Sequence, residues 1–193
     1  ARFTPGILEH TTIWACAGNV NESLTINVIQ GKVENLIIES SKENFSADES
    51  VLITLQGEDV RGNVFTLVPP KQNWTYPEDS TLLISNDIRW DPKKVGWQNI
   101  SVQESGLVAE LSFNITQGIP IRLSIIGDDI LITSDEYVEM HSVLVDADGN
   151  NMPVITSWST YNVEASEWLT DFGDMAIFEG YTVGSWKILS EYI

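Results

Sequence analysis

The chain has 193 residues and a formal net charge of −18, from 28 acidic and 10 basic side chains. That balance argues against nucleic acid and anionic membrane surfaces as partners, since both demand clustered Lys and Arg. Hydrophobic content of 42% and seven Trp argue against a disordered acidic chain, and no apolar run approaches the ~18 residues a membrane span needs.

Residues 2–63 read again at 89–150, with a fixed offset of 87 and no gap. Identical pairs include Pro5/Pro92, Asn27/Asn114, Gln30/Gln117, Gly31/Gly118, Asp48/Asp135, Glu49/Glu136, Val51/Val138, Asp59/Asp146, Gly62/Gly149 and Asn63/Asn150. A fixed period marks a tandem array, and such arrays hold things apart or together more often than they do chemistry.

From the N-terminus onward, short runs of alternating apolar residues are bounded by Gly, Asn, Asp and Pro, which is the strand signature. Leu24, Ile26 and Val28 alternate with Thr25 and Asn27, as Leu111, Phe113 and Ile115 alternate with Ser112 and Asn114. In both copies the apolar set faces one way and Asn the other. Val33–Ile38 and Ile119–Ile125 read as first strands of the two copies. Val51, Ile53 and Leu55, with counterparts Val138, Met140 and Ser142, read as second strands. Asp59–Asn63 and Asp146–Asn150 follow as turns. Trp74 and Trp158 fall on third strands, and Trp97 and Trp186 lie near the penultimate ones. About seven short strands per repeat describe an all-β chain of two β-sandwiches.

The repeat sets boundaries at Gly31 and Gly118. Residues 31–117 form repeat 1 and residues 118–193 form repeat 2, which lacks a counterpart of Leu107–Gln117, the last strand. Residues 1–30 correspond to 88–117, the last strands of a further repeat. The chain is therefore out of phase with its own period. It is an excerpt from a longer array, a subunit whose Val20–Gln30 completes repeat 2 of the next copy, or a chain with an odd self-contained pairing. The second alternative is donor-strand complementation, head to tail, giving an open filament. Burying Leu24, Ile26 and Val28 would supply on the order of 5–9 kcal/mol before ordering costs.

Five sites fit the N-glycosylation pattern: Asn21, Asn44, Asn73, Asn99 and Asn114. Asn73 adjoins Trp74, so the two side chains should point to opposite faces if Trp74 is core. Lone Cys16 permits no internal disulfide, and it reads as a small buried residue. His10 and Cys16 share a strand without an orienting third residue or an oxyanion loop, so no catalytic site is expected. Asp146, Asp148 and Asn150 have the i, i+2, i+4 spacing of calcium ligands. Gly149 and Ser157, however, stand fourth and twelfth, where a helix–loop–helix site wants its Gly sixth and Glu twelfth, and Asp-Gly and Gly-Asn are ordinary turn chemistry. Asp128, Asp129, Asp135 and Glu136 form an acidic loop that reads as solvated, with calcium as the alternative; no other cofactor is implied. Trp74, Trp97, Trp158 and Trp186 recur with the repeat and read as core, whereas Trp90 and Trp168 are the better candidates for stacking on sugars.

The runs Gly118-Ile-Pro-Ile-Arg-Leu-Ser-Ile125, Val143-Leu-Val-Asp-Ala-Asp-Gly-Asn150, Val154-Ile-Thr-Ser-Trp158 and Trp90-Asp-Pro92…Gly96-Trp97-Gln-Asn-Ile100 resemble tandem bacterial and archaeal immunoglobulin-like domains of the invasin and intimin type. The resemblance covers nearly the whole chain. It implies immunoglobulin-like sandwiches, an extracellular or cell-surface location and a non-enzymatic role. The expected partners are other copies of the chain or neighbouring repeats, and N-linked glycans. An adhesin or carbohydrate-binding module is the alternative.

Overall fold

The computed structural model describes residues 2–4, 10–127, 130–161 and 168–192, so Asp128 and Asp129 lie outside the described residues. No α-helix occurs among the described residues; strands and one 3-10 turn make up the regular structure. The chain divides into two compact units. The first holds Ala1–Phe45, Ser50–Pro92 and Gly96–Asn114, and the second holds Ser46–Glu49, Lys93–Val95 and Ile115–Ile193.

The first unit begins with a hairpin of β1 (His10–Ala17) and β2 (Val20–Asn27), a two-stranded sheet of its own. After it come β3 (Val33–Ser40), β4 (Val51–Asp59), β5 (Val64–Leu67), β6 (Trp74–Thr75), β7 (Thr81–Ile84), β8 (Ile88–Asp91), β9 (Gly96–Glu104) and β10 (Leu107–Ile115). One sheet has the order β3-β4-β8-β7, with β5 also beside β4, and the other has the order β10-β9-β6. With β5 set aside, the seven remaining strands lettered in chain order give ABED in one sheet and GFC in the other. That is the strand order of the constant-type immunoglobulin sandwich. The expected immunoglobulin-like fold is thus present in the strand order itself.

Strand parity explains what is buried. Along β4, Val51, Ile53 and Leu55 are buried and the residues between them are not. On β9 the inward positions are Gln98, Ile100 and Val102, which leaves Trp97 outward and 76% exposed. The expectation that Trp97 is core is therefore wrong, because a side-chain period of two decides the face whatever recurs in the repeat. Trp90 errs the other way. It sits on the inward face of β8, fully buried, so it cannot stack on a sugar. Its indole N–H donates to Ser80 Oγ at 2.9 Å, and its ring lies 6.2 Å from Phe45 and 5.4 Å from Phe113. Trp74 is buried on the third strand as expected, while the Asn73 amide points elsewhere and donates to Glu104.

The second unit repeats the plan with β11 (Pro120–Ile126), β12 (Tyr137–Asp146), β13 (Asn151–Pro153), β14 (Ser157–Thr160), β15 (Leu169–Asp171), β16 (Met175–Glu179) and β17 (Ile188–Glu191). The order β11-β12-β16-β15, with β13 also beside β12, is the same ABED sheet. Among the described residues the facing sheet holds β14 and β17. Its core is Met140, Trp158, Ala176 and Phe178, with Ile125, Ile132, Val138, Trp168, Leu169, Trp186 and Ile188 packed around it. Trp158 is buried as expected. Trp168 and Trp186 pack edge to face at 5.0 Å. Trp168 thus belongs to this half-buried aromatic group and does not present the free face sugar stacking would need.

Candidate assembly surface

The β1–β2 hairpin is an antiparallel ladder running from His10↔Asn27 to Ala17↔Val20. Cross-strand partners share a face. Thr11, Ile13, Ala15 and Ala17 therefore lie on one face with Val20, Glu22, Leu24 and Ile26. His10, Thr12, Trp14 and Cys16 lie on the other with Asn21, Ser23, Thr25 and Asn27. Among the described residues no second layer covers this mostly apolar face. Leu24 is 64% and Val20 73% exposed, and Ile26 and Val28 are half-buried. At the same repeat positions in β10, Phe113 and Ile115 are buried. Sequence pattern alone makes the strand; burial requires a facing sheet.

Cys16 is exposed on the hairpin's other face, which corrects the expectation that it is buried. His10 Nδ1 lies 2.5 Å from Asn27 Oδ1. Six residues of extended chain place His10 and Cys16 about 20 Å apart, so they cannot act as a pair.

The second half of the surface is β17. It pairs with β14 in the register Trp158↔Ser190, which matches Trp74↔Val102 between β6 and β9. Val102 and Ile100 are buried, with β10 beside them. Ser190 and Ile188, their equivalents on β17, are only half-buried. Among the described residues no strand stands beside β17 in the place β10 takes beside β9.

The residues identical in the two repeats build two local devices. The first is the turn after the second strand. Asp146 is buried, and its carboxylate accepts the backbone N–H of Gly118, Asp148 and Asn150 and the Asn150 side-chain amide, at 2.8–3.1 Å. Asp59 does the same with Gly31, Arg61 and Asn63. Gly149 and Gly62 take the positive φ these turns require, 82° and 79°. Burial opposes the Asp146 charge, but the Asn150 side chain and the surrounding N–H groups outweigh it and hold the pKa below the usual carboxylate value. The Asn63 side chain leads the same effect on Asp59, against a smaller cost of burial. An N–H cage of this kind suits an anion and presents donors where a cation would need ligands. Asp148 pairs with Lys93 at 3.5 Å, and the Asn150 amide also donates to Lys93 O. Asp146, Asp148 and Asn150 thus form a stapled turn, and calcium finds no ligand shell there.

The second device is the short acidic loop. Ser46 N–H donates to the Glu49 carboxylate, and Glu49 N–H donates back to Ser46 O, both at 3.1 Å. Thr133 and Glu136 make the same reciprocal pair at 2.8 and 3.1 Å. The Thr133 N–H, then its hydroxyl, lowers the Glu136 pKa. Asp48 and Asp135 stand at the tips of these two loops. Sequence reasoning treated this segment as solvated charge; the Ser/Thr-x-x-Glu spacing was the signal that it is a closed box.

Of the sequon residues, Asn21, Asn44, Asn99 and Asn114 are exposed, and Asn73 is half-buried with its amide engaged. Asn99 and Asn114 lie on the outward parity of β9 and β10, and Asn21 on the polar face of the hairpin.

No family model matches the chain, and no curated protein matches it. Among solved structures it is similar to domains 1–6 of the surface layer protein SbsC, at 14% identity and a TM-score of 0.32 over 89% of this chain. It spans 29% of that protein chain. It is also similar to FdeC, an Escherichia coli adhesin, at 12% identity and a TM-score of 0.47, over 94% of this chain and 69% of that one. Domains 4 and 5 of SbsC match at 14% identity and a TM-score of 0.33, over 83% of this chain and 94% of that one. Likenesses this distant decide neither activity nor partner, and the fold rests on the strand order described above.

Proposed function

We propose that this chain is a structural protein of the cell exterior, glycosylated, and a subunit or repeat segment of a surface filament, stalk or surface layer. Its β2 strand is donated to the open edge of β17 in a second copy or an adjoining repeat, head to tail. The observation that carries this reading is the pairing of a surplus with a deficit. An exposed, mostly apolar hairpin has the pattern of β9–β10, and among the described residues no strand lies beside β17 in the place β10 takes beside β9. Repeats 31–117 and 118–193 would be the mechanical modules and residues 1–30 the joint.

The chemistry favours the exchange. Adding β2 beside β17 satisfies backbone groups along an edge that otherwise invites aggregation, and brings Leu24 and Ile26 onto a half-covered core. β1 holds the edge of β2 that corresponds to the edge β10 gives to β9, so donation in that register displaces β1. Glycans on Asn21, Asn99 and Asn114 would project from the outward faces and leave the apolar face free. No catalytic step is part of this reading. Electron microscopy of the purified protein tests it. End-to-end filaments or short oligomers are expected, and monodisperse single particles at high concentration would contradict it.

A second reading, an adhesin or sugar-binding module, is favoured by the exposed rings of Trp97 and Trp14, 76% and 62% accessible. A glycan array tests it: hits lost in Trp97→Ala would support this reading, and a blank array would count against it.

A further inference from the structure

We propose that Trp97 is a stacking platform for the chain's own glycan: the first sugar attached at Asn99 lies flat on the exposed indole two residues before it. This rests on the glycosylated reading above, and it names one site and the contact made there.

The sequence sets the pair and the strand turns it outward. Trp97-Gln-Asn99-Ile-Ser101 lies within β9. Faces repeat every two residues along a strand, so Trp97, Asn99 and Ser101 share one face, with Trp97 and Asn99 about 6.8 Å apart. Gln98 and Ile100, between them, are buried, so the shared face is the outer one. Of the five sequons, Asn99 alone has an aromatic residue two places before it; Asn19, Lys42, Lys71 and Ser112 stand there in the others. Asn99 is exposed, and its amide makes no hydrogen bond to a described residue. The Asn73 amide, by contrast, is held by Glu104.

The surroundings suit a sugar. A pyranose with equatorial substituents presents axial C–H groups on its flat faces, and the negative face of an indole attracts them. Trp97 is 76% exposed, so a ring laid over it removes a large apolar area from water. Ser105 and Gly106, with φ of 54° and 83°, form a two-residue loop between two nine-residue strands, β9 and β10. That loop sets Asn114 across from Trp97 and Ser112 across from Asn99. The apolar platform therefore has a rim of hydroxyl and amide groups for the sugar hydroxyls. In the attachment, the Asn99 amide nitrogen bonds to the anomeric carbon of a lipid-linked sugar diphosphate. The bond from that carbon to the phosphate oxygen breaks, the diphosphate leaves with its electron pair, and the amide proton passes to the transferase.

Secretion of the full chain from a eukaryotic host, whose N-glycans begin with N-acetylglucosamine, supplies the material for the test. Wild type, Asn99→Gln, Asn114→Gln and Trp97→Ala are compared, with site occupancy and hydroxyl-radical oxidation of each Trp read by mass spectrometry. Trp97 should be oxidised several-fold more slowly in wild type and Asn114→Gln than in Asn99→Gln, with Trp14 unchanged throughout. Glycosylated wild type should also melt about 4 °C above Asn99→Gln, and the same comparison in a Trp97→Ala background should show no difference. A glycan on Asn99 that leaves Trp97 as reactive as in Asn99→Gln overturns the contact while glycosylation stands. So does protection lost in Asn114→Gln and kept in Asn99→Gln, or an Asn99 left bare while other sequons are occupied. If none of the five asparagines carries a glycan, the contact and the glycosylated reading both fall.

Discussion

Strands β2 and β10 have the same alternation, the same Asn at the fourth repeat-matched position and the same exit toward a first strand, yet opposite surroundings. Phe113 on β10 is buried to 3% exposure where its counterpart Ile26 is half-buried, and Leu111 is half-buried where Leu24 is 64% exposed. The difference teaches that pattern specifies a strand and its two faces, while burial is conferred by the partner sheet.

The largest effects should separate the two strands. Phe113→Ala removes an aromatic side chain from a closed core and should cost about 3–5 kcal/mol by denaturant titration. Ile26→Ala, at the matching position, should change monomer stability by less than about 0.5 kcal/mol while weakening association. Equal losses in both monomers would break the comparison. Next in size, Ile26→Asp should leave the monomer folded by circular dichroism and prevent end-to-end contact, because a carboxylate would be buried against the acceptor sandwich without a partner.

Acid should act through the stapled turns. The Asp59 and Asp146 pKa values are held below the ordinary aspartate value of 3.8. Their contribution to stability is therefore fully present above about 3.8 and is lost as pH falls through the depressed native values. Thermal melts from pH 5 to pH 2 should show this loss, and Asp146→Asn should flatten it while lowering stability at neutral pH. The smallest effect concerns salt. Copies that each carry a charge of −18 repel one another, so association measured by light scattering should tighten modestly from 10 to 150 mM salt as the Debye length contracts from about 30 to 8 Å.

The sandwich plan was legible in the sequence because apolar alternation and the 87-residue period act locally. Gly31/Gly118, Asp59/Asp146, Gly62/Gly149 and Asn63/Asn150 are identical because together they build one hydrogen-bonded turn, which sequence reading recognised only as turn chemistry. The tryptophans misled where repeat position was weighed above strand parity: Trp97 recurs and is exposed, while Trp90 was thought free and is central. Cys16 was read as buried on residue type, although strand parity puts it on the polar face of its hairpin.

Hydrogen exchange on the assembled and monomeric protein tests strand donation most directly. Amides of Val20–Asn27 and of Ile188–Glu191 should gain protection together on assembly, with little change in β9 and β10. Assembly that leaves β2 and β17 exchanging as fast as in the monomer would contradict the account.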